Sequence, residues 1–432
     1  MLAILSELPI SNYQLIKCAV ISEDEARRKI LEAVRPLPPR QLSLSQALDH
    51  FAAEDYFARL PLPTFDNSAM DGYALVAGSS TKAARLRVSG EQPAGRDKQL
   101  RVSRGEAIRI FTGAPIPRGA DAIVMQEDVT REGDEILINT DVAVGEFIRR
   151  RGCDLAEGQR ILEKGERIRA ATLGLLASQG IAEVSVSGEV NAGIISTGDE
   201  LVRPGKKLQP GQIYESNSAL LEALLQGCGA TGTSVEHCQD DRESLAAAIK
   251  RVIANHVLII SGGVSVGEHD LVKDALRDFG AEIEIWRVAI KPGKPFLFGR
   301  LPAKLLDSAG ETPAGTTGKM PVLRDCFVFG LPGNPVSAFV TFLQFVRPAI
   351  LKMMGAIDLS LRRVPARLAV DLTNDSDRAH YIRGKLEGGR FIPVGRQESH
   401  ALFGLSQSNA LLRLGLGQAL KMDDIVDVQI WG

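Results

Sequence analysis

Residues 190–355 alternate short apolar runs with longer amphipathic stretches, and this alternation constrains the fold more than any other feature of the sequence. VNAGIIS reads as a buried strand, SALLEALLQGCG as a helix, SVEHC as a strand and RESLAAAIKRVIAN as a helix. HVLIISGG is a strand that runs into the helix HDLVKDALRDFG. EIEIWRVAI, FLFGRL and CFVFGLPG are strand-like, and NPVSAFVTFLQFVRPAILKMMG is a long helix. Parallel strands need a crossover between them, usually a helix, so this succession predicts a doubly wound α/β domain with a largely parallel sheet.

The flanking segments have other textures. At 432 residues the chain is about three times the length of a typical domain, so several domains are expected. SEDEARRKILEAV opens with Ser22 and acidic residues and has helical apolar spacing, and SLSQALDHFAAEDYF reads as a second amphipathic helix. Short alternating runs separated by Gly, Pro and Asp then predict a small all-β unit, after which GQRILEKGERIRAATLGLLASQG returns to helix. The expected organisation is a helical framework over 1–58 and 151–189, an inserted β unit over 59–150, the α/β domain over 190–355 and a small C-terminal β domain over 356–432. The polar, Gly/Pro/Thr-rich stretch 302–325 reads as a surface insertion between two strands.

In an open α/β sheet, ligands bind beyond the carboxyl ends of the strands. Three such loops are rich in glycine and oxygen-bearing side chains. The first holds Ser196, Thr197, Gly198, Asp199 and Glu200. The second holds Gly262, Gly263, Ser265, Gly267, Glu268 and Asp270, and the third Pro332, Gly333, Asn334, Pro335 and Ser337. Asn334 followed by Pro335 is a natural helix start, whose free N–H groups suit an anion. Lys291 and Lys294 stand close together among stiff prolines. A lone glycine turn or lysine pair is commonly structural, but the combination on one strand-end face points to a phosphate- or oxyanion-bearing ligand.

Residues 61–74 form a dense run of turn-formers and carboxylates. They read equally as a structured linker capped by Asp66 and Asp71, or as a polar ligand contact. Lys+Arg total 51 against 53 for Asp+Glu, which excludes a general nucleic-acid coat or a polybasic membrane binder. Six histidines show no zinc spacing. Loop carboxylates are plentiful, and hard oxygen ligands beside a phosphate suit magnesium. Asp240 and Asp241 both precede a helix, so one of them is expected to serve as its cap. Phosphoryl or nucleotidyl chemistry with a divalent ion is the simplest reading. Five cysteines without a CxxC fit reduced thiols. With no signal-peptide pattern, and with Gln344, Arg347 and Lys352 interrupting the most apolar helix, a cytoplasmic protein without membrane segments is expected.

PLPTFDNSAMDGYA, GEAIRIFTGAPIPRGADAIVMQE, STGDEL, SGGVSVGEHD, IKPGKPF and GLPGNPVSA follow one another in the chain. In that order they closely resemble the molybdopterin molybdenumtransferases, the MoeA-type family that includes the gephyrin E domain. The resemblance covers nearly the whole chain. It implies a homodimer of four-part subunits that inserts molybdate into adenylated molybdopterin and releases AMP with a divalent cation, normally Mg2+. By position, it implies that Asp66 and Thr112 come from the partner's β unit, with Asp154. It implies Glu200, Asp240 and Asp270 as an acidic set for the cation and the phosphoanhydride. Lys291, Lys294 and Ser337 would hold molybdate or phosphate. Thr197, Gly198, Asp199, Gly262, Gly263, Ser265, Gly267, Pro332, Gly333 and Asn334 would cradle the pterin phosphate and nucleotide. Transfer contacts with other cofactor-biosynthesis proteins are also implied. Arg287 departs from the lysine many members carry, which keeps the charge but alters donor geometry. The rival readings are molybdopterin adenylation, a nucleotide pyrophosphatase and a non-catalytic scaffold of the same fold. Adenylation leaves the β unit unexplained, a pyrophosphatase needs no lysine pair, and a scaffold needs no cleft carboxylates.

Overall fold

The structure is a computed structural model that describes residues 20–264, 271–302 and 325–431. The chain divides into two compact units. One comprises Met1–Ala53, Gly165–Ile168 and Val184–Gly432, the other Glu54–Lys164 and Arg169–Glu183.

The first helix, α1 (Glu23–Ala33), belongs to the larger unit; Ser22 caps it by accepting from the Glu25 N–H at 3.1 Å. The smaller unit is built on a six-stranded sheet. Its strands are β1 (Gly72–Leu75), β2 (Arg85–Gln92), β3 (Glu106–Ile110), β4 (Ala122–Met125), β5 (Val129–Glu132) and β6 (Glu135–Ile138), in the order β4-β1-β3-β2-β6-β5. One short helix, α2 (Ala170–Ser178), also belongs to it.

The larger unit contains the α/β domain: β7 (Ala192–Thr197), α3 (Asn217–Gly227), β8 (Thr233–Cys238), α4 (Arg242–Val252), β9 (Val257–Ser261), α5 (Leu271–Asp278), β10 (Glu282–Arg287), β11 (Pro295–Leu301) and β12 (Cys326–Leu331). The sheet order is β8-β7-β9-β12-β11-β10. β8, β7, β9 and β12 are parallel, β11 pairs antiparallel with β12, and β10 pairs antiparallel with β11 at the edge. Because successive strand residues face opposite sides, each strand feeds two cores. Ile194, Ile259 and Phe329 join Leu221 and Leu225 of α3 in one core. Ile195, Leu258, Ile260 and Val328 join α4 and α5 in the other. The segment Pro335–Met353 follows as α6 (Pro335–Thr341), a π-turn at Phe342–Val346 and α7 (Arg347–Met353). It is long and apolar enough to cross a membrane, yet most of it is buried inside the larger unit's core.

The C-terminal strands β13 (Arg362–Leu368), β14 (Ala379–Glu387), β15 (Arg390–Pro393), β16 (Ala410–Leu414) and β17 (Ile425–Ile430) close into a small barrel, because β14 pairs with both β15 and β16. A short helix, α8 (Leu402–Ser406), precedes β16.

The α/β domain and both β regions therefore agree with the sequence reading, but the framework is less helical than expected. SLSQALDHFAAEDYF forms a short strand ending at Ser43, a 3-10 turn at Leu44–Gln46 and isolated bridges, not a helix. Asp49 sits at φ +65°, which ends any helix there. Phe51 and Ala52 instead bridge Arg167 and Val186. Pairing with distant chain segments and burial outweigh local helical spacing here. Likewise Arg160–Leu162 is a strand, Gly165 adopts φ +82°, and only Ala170–Ser178 is helical.

Candidate active site

A cleft of about 550 Å³ opens at the carboxyl ends of β7, β9 and β12. It lies where the strand order reverses, with β8 on one side of β7 and β9 on the other. The three glycine loops meet there. Gly262 has φ +95°, and a Cβ on it would lie 2.5 Å from the Thr197 carbonyl oxygen. Gly333 comes within 3.6 Å of the Gly262 Cα, measured from its own would-be Cβ. A side chain at Gly262 would displace the Thr197 backbone, whereas a Cβ at Gly333 would make only ordinary contact there.

The carboxylates are arranged around this floor. Thr197 donates its hydroxyl hydrogen to Asp240, and the Asp240 N–H donates to Asp199 at 3.1 Å. Asp241, its neighbour, caps α4 by accepting from the Ser244 N–H at 2.8 Å, and hydrogen bonding from the Ser244 side chain, followed by that backbone bond, holds its carboxyl below the usual range. The cap and the site carboxylate are thus separated: Asp240 lines the cleft with Glu200. Thr197, Gly262, Gly263, Gly333 and Asn334 line it too, while Gly198 and Pro332 are buried behind it. Ser265, Gly267 and Asp270 lie outside the described residues.

Three contributors were not apparent from sequence. Asn217 donates both amide hydrogens, to Ser261 Oγ at 2.8 Å and to the Gly333 carbonyl at 2.7 Å, which ties two loops together. Its Oδ1 is buried without a partner among the described residues. A buried acceptor of this kind is costly unless a ligand N–H completes it. His400 and Leu402 also line the cleft. They arrive from the C-terminal barrel because Asn334 donates to Ser399 Oγ at 2.9 Å and Val336 N–H to the Ser399 carbonyl at 3.1 Å. Asn334 holds the N-cap position of α6 but makes no side-chain cap bond. Its amide serves the barrel instead.

The lysines do not line this cleft. Ile290–Lys291 adds a parallel strand to the barrel, with Lys291 opposite His380 on β14. The loop then turns back onto α6: a Cβ on Gly293 would lie 2.5 Å from the Thr341 methyl and 3.8 Å from the Ser337 carbonyl. Lys291 is exposed, Lys294 half-buried and Ser337 buried. The lysine pair and Ser337 therefore share one neighbourhood, next to the α6 start that edges the cleft. His380 is buried beside them, and burial together with the charges of Lys291, Arg383 and Arg378 pushes its pKa down to about 4. A neutral native imidazole that charges on unfolding means the unfolded state binds more protons between pH 6.5 and 4. This group's contribution to stability is thus present above pH 6.5 and is lost as pH falls toward 4. Urea unfolding of His380→Gln should show a shallower acid loss across that window. The difference should be about 2–3 kcal/mol at pH 4, and parallel profiles would show that the imidazole is not held neutral.

In the smaller unit, the structure brings Asp66, Thr112 and Asp154 into one region. Asp66 accepts from the Arg151 N–H at 2.7 Å and the Arg150 guanidinium at 2.8 Å, bonds that hold its carboxyl below the usual range. Thr112 donates its N–H at 2.7 Å and its hydroxyl at 2.8 Å to Asp71, whose carboxyl is lowered for that reason. The Asp154 N–H donates to the Leu62 carbonyl at 3.0 Å, leaving its carboxylate exposed. Asp66 and Asp71 thus each anchor a loop.

No cluster of three metal-ligating side chains occurs among the described residues. Glu200 and Asp240 in one cleft still fit magnesium, which takes one or two carboxylates and completes its shell with water and phosphate.

The cleft thus lies at the strand switch point of a doubly wound α/β domain, the place where such sheets commonly hold ligands, beside a small barrel. Family models match the chain along its length: "MoeA N-terminal region (domain I and II)" over residues 21–180, "Probable molybdopterin binding domain" over 193–352 and "MoeA C-terminal region (domain IV)" over 365–431. A protein of Haemophilus influenzae named molybdopterin molybdenumtransferase is 35% identical over 91% of this chain and 94% of its own. One of Mycobacterium tuberculosis, molybdopterin molybdenumtransferase 2, is 37% identical over 95% and 99%. The crystal structure of the molybdopterin biosynthesis MoeA protein from Pyrococcus horikoshii superposes with a TM-score of 0.77 at 28% identity, covering 96% of this chain and all of the other. The chain belongs to the MoeA family.

Proposed function

We propose that this chain is a transferase that inserts molybdate into adenylated molybdopterin and releases AMP. The observation that carries this reading is the convergence of Gly262, Gly263 and Gly333 with Glu200 and Asp240 in one cleft, within a chain akin to named molybdenumtransferases over nearly its full length. The glycine loops present backbone N–H groups to the pterin phosphate and the nucleotide. Asn217 Oδ1 accepts from a ligand N–H. Lys291 and Lys294, with Ser337 beside them, hold molybdate, while the substrate's own dithiolene sulfurs take the metal. Glu200 and Asp240 would hold a magnesium ion, with Asp270 as a further carboxylate of the set, and the ion would neutralise charge on the phosphoanhydride. Adenylation and pyrophosphatase activity leave the matched N- and C-terminal regions without a role. Incubating the protein with adenylated molybdopterin, molybdate and magnesium should release AMP. Release independent of molybdate would favour the pyrophosphatase and overturn the proposal, and omission of magnesium tests the cation.

We further propose a cytoplasmic homodimer with shared sites. Asp66, Thr112 and Asp154 lie in one unit of the chain and the cleft in the other, and a second copy supplies the first set to the cleft of its partner. Asp66→Asn and Lys291→Ala subunits, assayed at a molybdate concentration just sufficient for the parent, where each alone turns over little, should recover about a quarter of normal activity when mixed, since each mixed dimer then has one intact site. No recovery despite confirmed subunit exchange would sink the shared site.

A further inference from the structure

We propose that His380 is a further ligand of the oxyanion held at Lys291, donating a hydrogen bond from Nε2. The inference rests on the reading that Lys291 holds molybdate. Three observations carry it. First, the parallel pairing of Ile290–Lys291 with β14 sets Lys291 and His380 directly opposite one another, so both side chains stand on the same face. Second, His380 is 9% exposed, and its Nε2 is buried with no hydrogen-bond partner among the described residues. Buried polar atoms are rarely left unpaired, and an unfilled one beside a loop of cations calls for a ligand atom. Third, the charged groups that act on the ring are all cations, Lys291, Arg383 and Arg378, and together with burial they keep it neutral. Of these, Arg383 is fully buried and donates to the carbonyls of Arg396 and Glu398, while Arg378 pairs with the exposed Asp377 at 3.6 Å. A neutral imidazole among cations gains nothing from a further positive partner. An anion, by contrast, offsets the local positive potential and accepts the Nε2 hydrogen of the appropriate tautomer.

The oxyanion could be molybdate or the phosphate of the nucleotide, and two titrations of the full-length protein separate them. Calorimetry with molybdate alone should show the dissociation constant rising about tenfold in His380→Ala, the effect of a hydrogen bond to a charged group. Calorimetry with AMP alone should show no change. His380→Gln retains an N–H donor of similar reach and should stay within about threefold of the parent. His380→Phe keeps a ring of similar size but lacks the N–H, should weaken molybdate as the alanine variant does, and keeps the test decisive if that variant folds poorly. A molybdate affinity within twofold of the parent in His380→Ala, or in His380→Phe where the alanine variant does not fold, overturns the inference, as does weakened AMP binding. Lys291→Ala, titrated in parallel, distinguishes the two levels. If it weakens molybdate and His380→Ala does not, only the role of His380 fails. If Lys291→Ala leaves molybdate binding unchanged, the reading of the lysine site fails, and the inference with it.

Discussion

Replacing Glu23 with alanine is expected to destabilise the larger unit by about 3 kcal/mol, the low end of the cost of breaking a buried charged pair. Glu23 opens α1 and is buried, and it accepts the hydroxyl of Tyr381 on β14 and the Arg413 Nε at 2.9 Å on β16. The Arg27 guanidinium lies 3.7 Å away and donates in turn to Gln344 at 2.8 Å, whose amide donates to Gln429. One carboxylate thus fastens the first helix to the barrel and to the π-turn of the core helix. Burial and the Glu23 charge push the Tyr381 phenol well above its ordinary pKa, so it stays a donor. Removing the carboxylate strands that hydroxyl and leaves the half-exposed Arg413 unpaired. Arg413 can recover water, which is why the low end of the range applies. Glu23→Gln keeps an acceptor for Tyr381 and should cost about half as much; Tyr381→Phe should cost about 1 kcal/mol. Urea midpoints measured on all three variants check the order. An alanine variant that unfolds with the parent would show that the network carries no net stability.

Lys291→Ala should raise the molybdate concentration for half-maximal turnover by roughly 10- to 150-fold, because a hydrogen bond to a charged group contributes about 1.5–3 kcal/mol. The side chain is exposed, yet its backbone is fixed by pairing with β14 and by the packing of Gly293 on Thr341. A held charge loses less entropy on binding a compact oxyanion than one on a free loop. Affinity for adenylated molybdopterin should change much less, because Gly262, Gly263 and Gly333 sit in the cleft and Lys291 does not line it. Weakened pterin binding with an unchanged molybdate requirement would assign Lys291 to the phosphate. A requirement within twofold of the parent, with pterin binding intact, would leave it no part in either.

Much of the α/β domain was legible in the sequence because its signals are local. The strands VNAGIIS and HVLII and the helices after them announce themselves by composition and period. The rule that ligands sit at strand carboxyl ends then places Thr197, Gly262 and Gly333 together without further information. The choice between Asp240 and Asp241 was also framed correctly, since a helix start needs one cap, and the structure gives that role to Asp241. The segment SLSQALDHFAAEDYF shows the limit. Its apolar spacing suits a helix, but Phe51 and Ala52 find partners at Arg167 and Val186, more than a hundred residues away.

The cleft and the lysine loop divide in the same way. The sequence by itself determined which loops carry glycines, carboxylates and lysines, because those choices are written in residue type and spacing. Only the tertiary structure decided that the barrel lends His400 to the cleft, that Asn217 joins two loops, and that His380 stands against Lys291. Each depends on which distant segment covers a polar atom, and burial and pairing of that kind are properties of the packed chain, which no local period encodes.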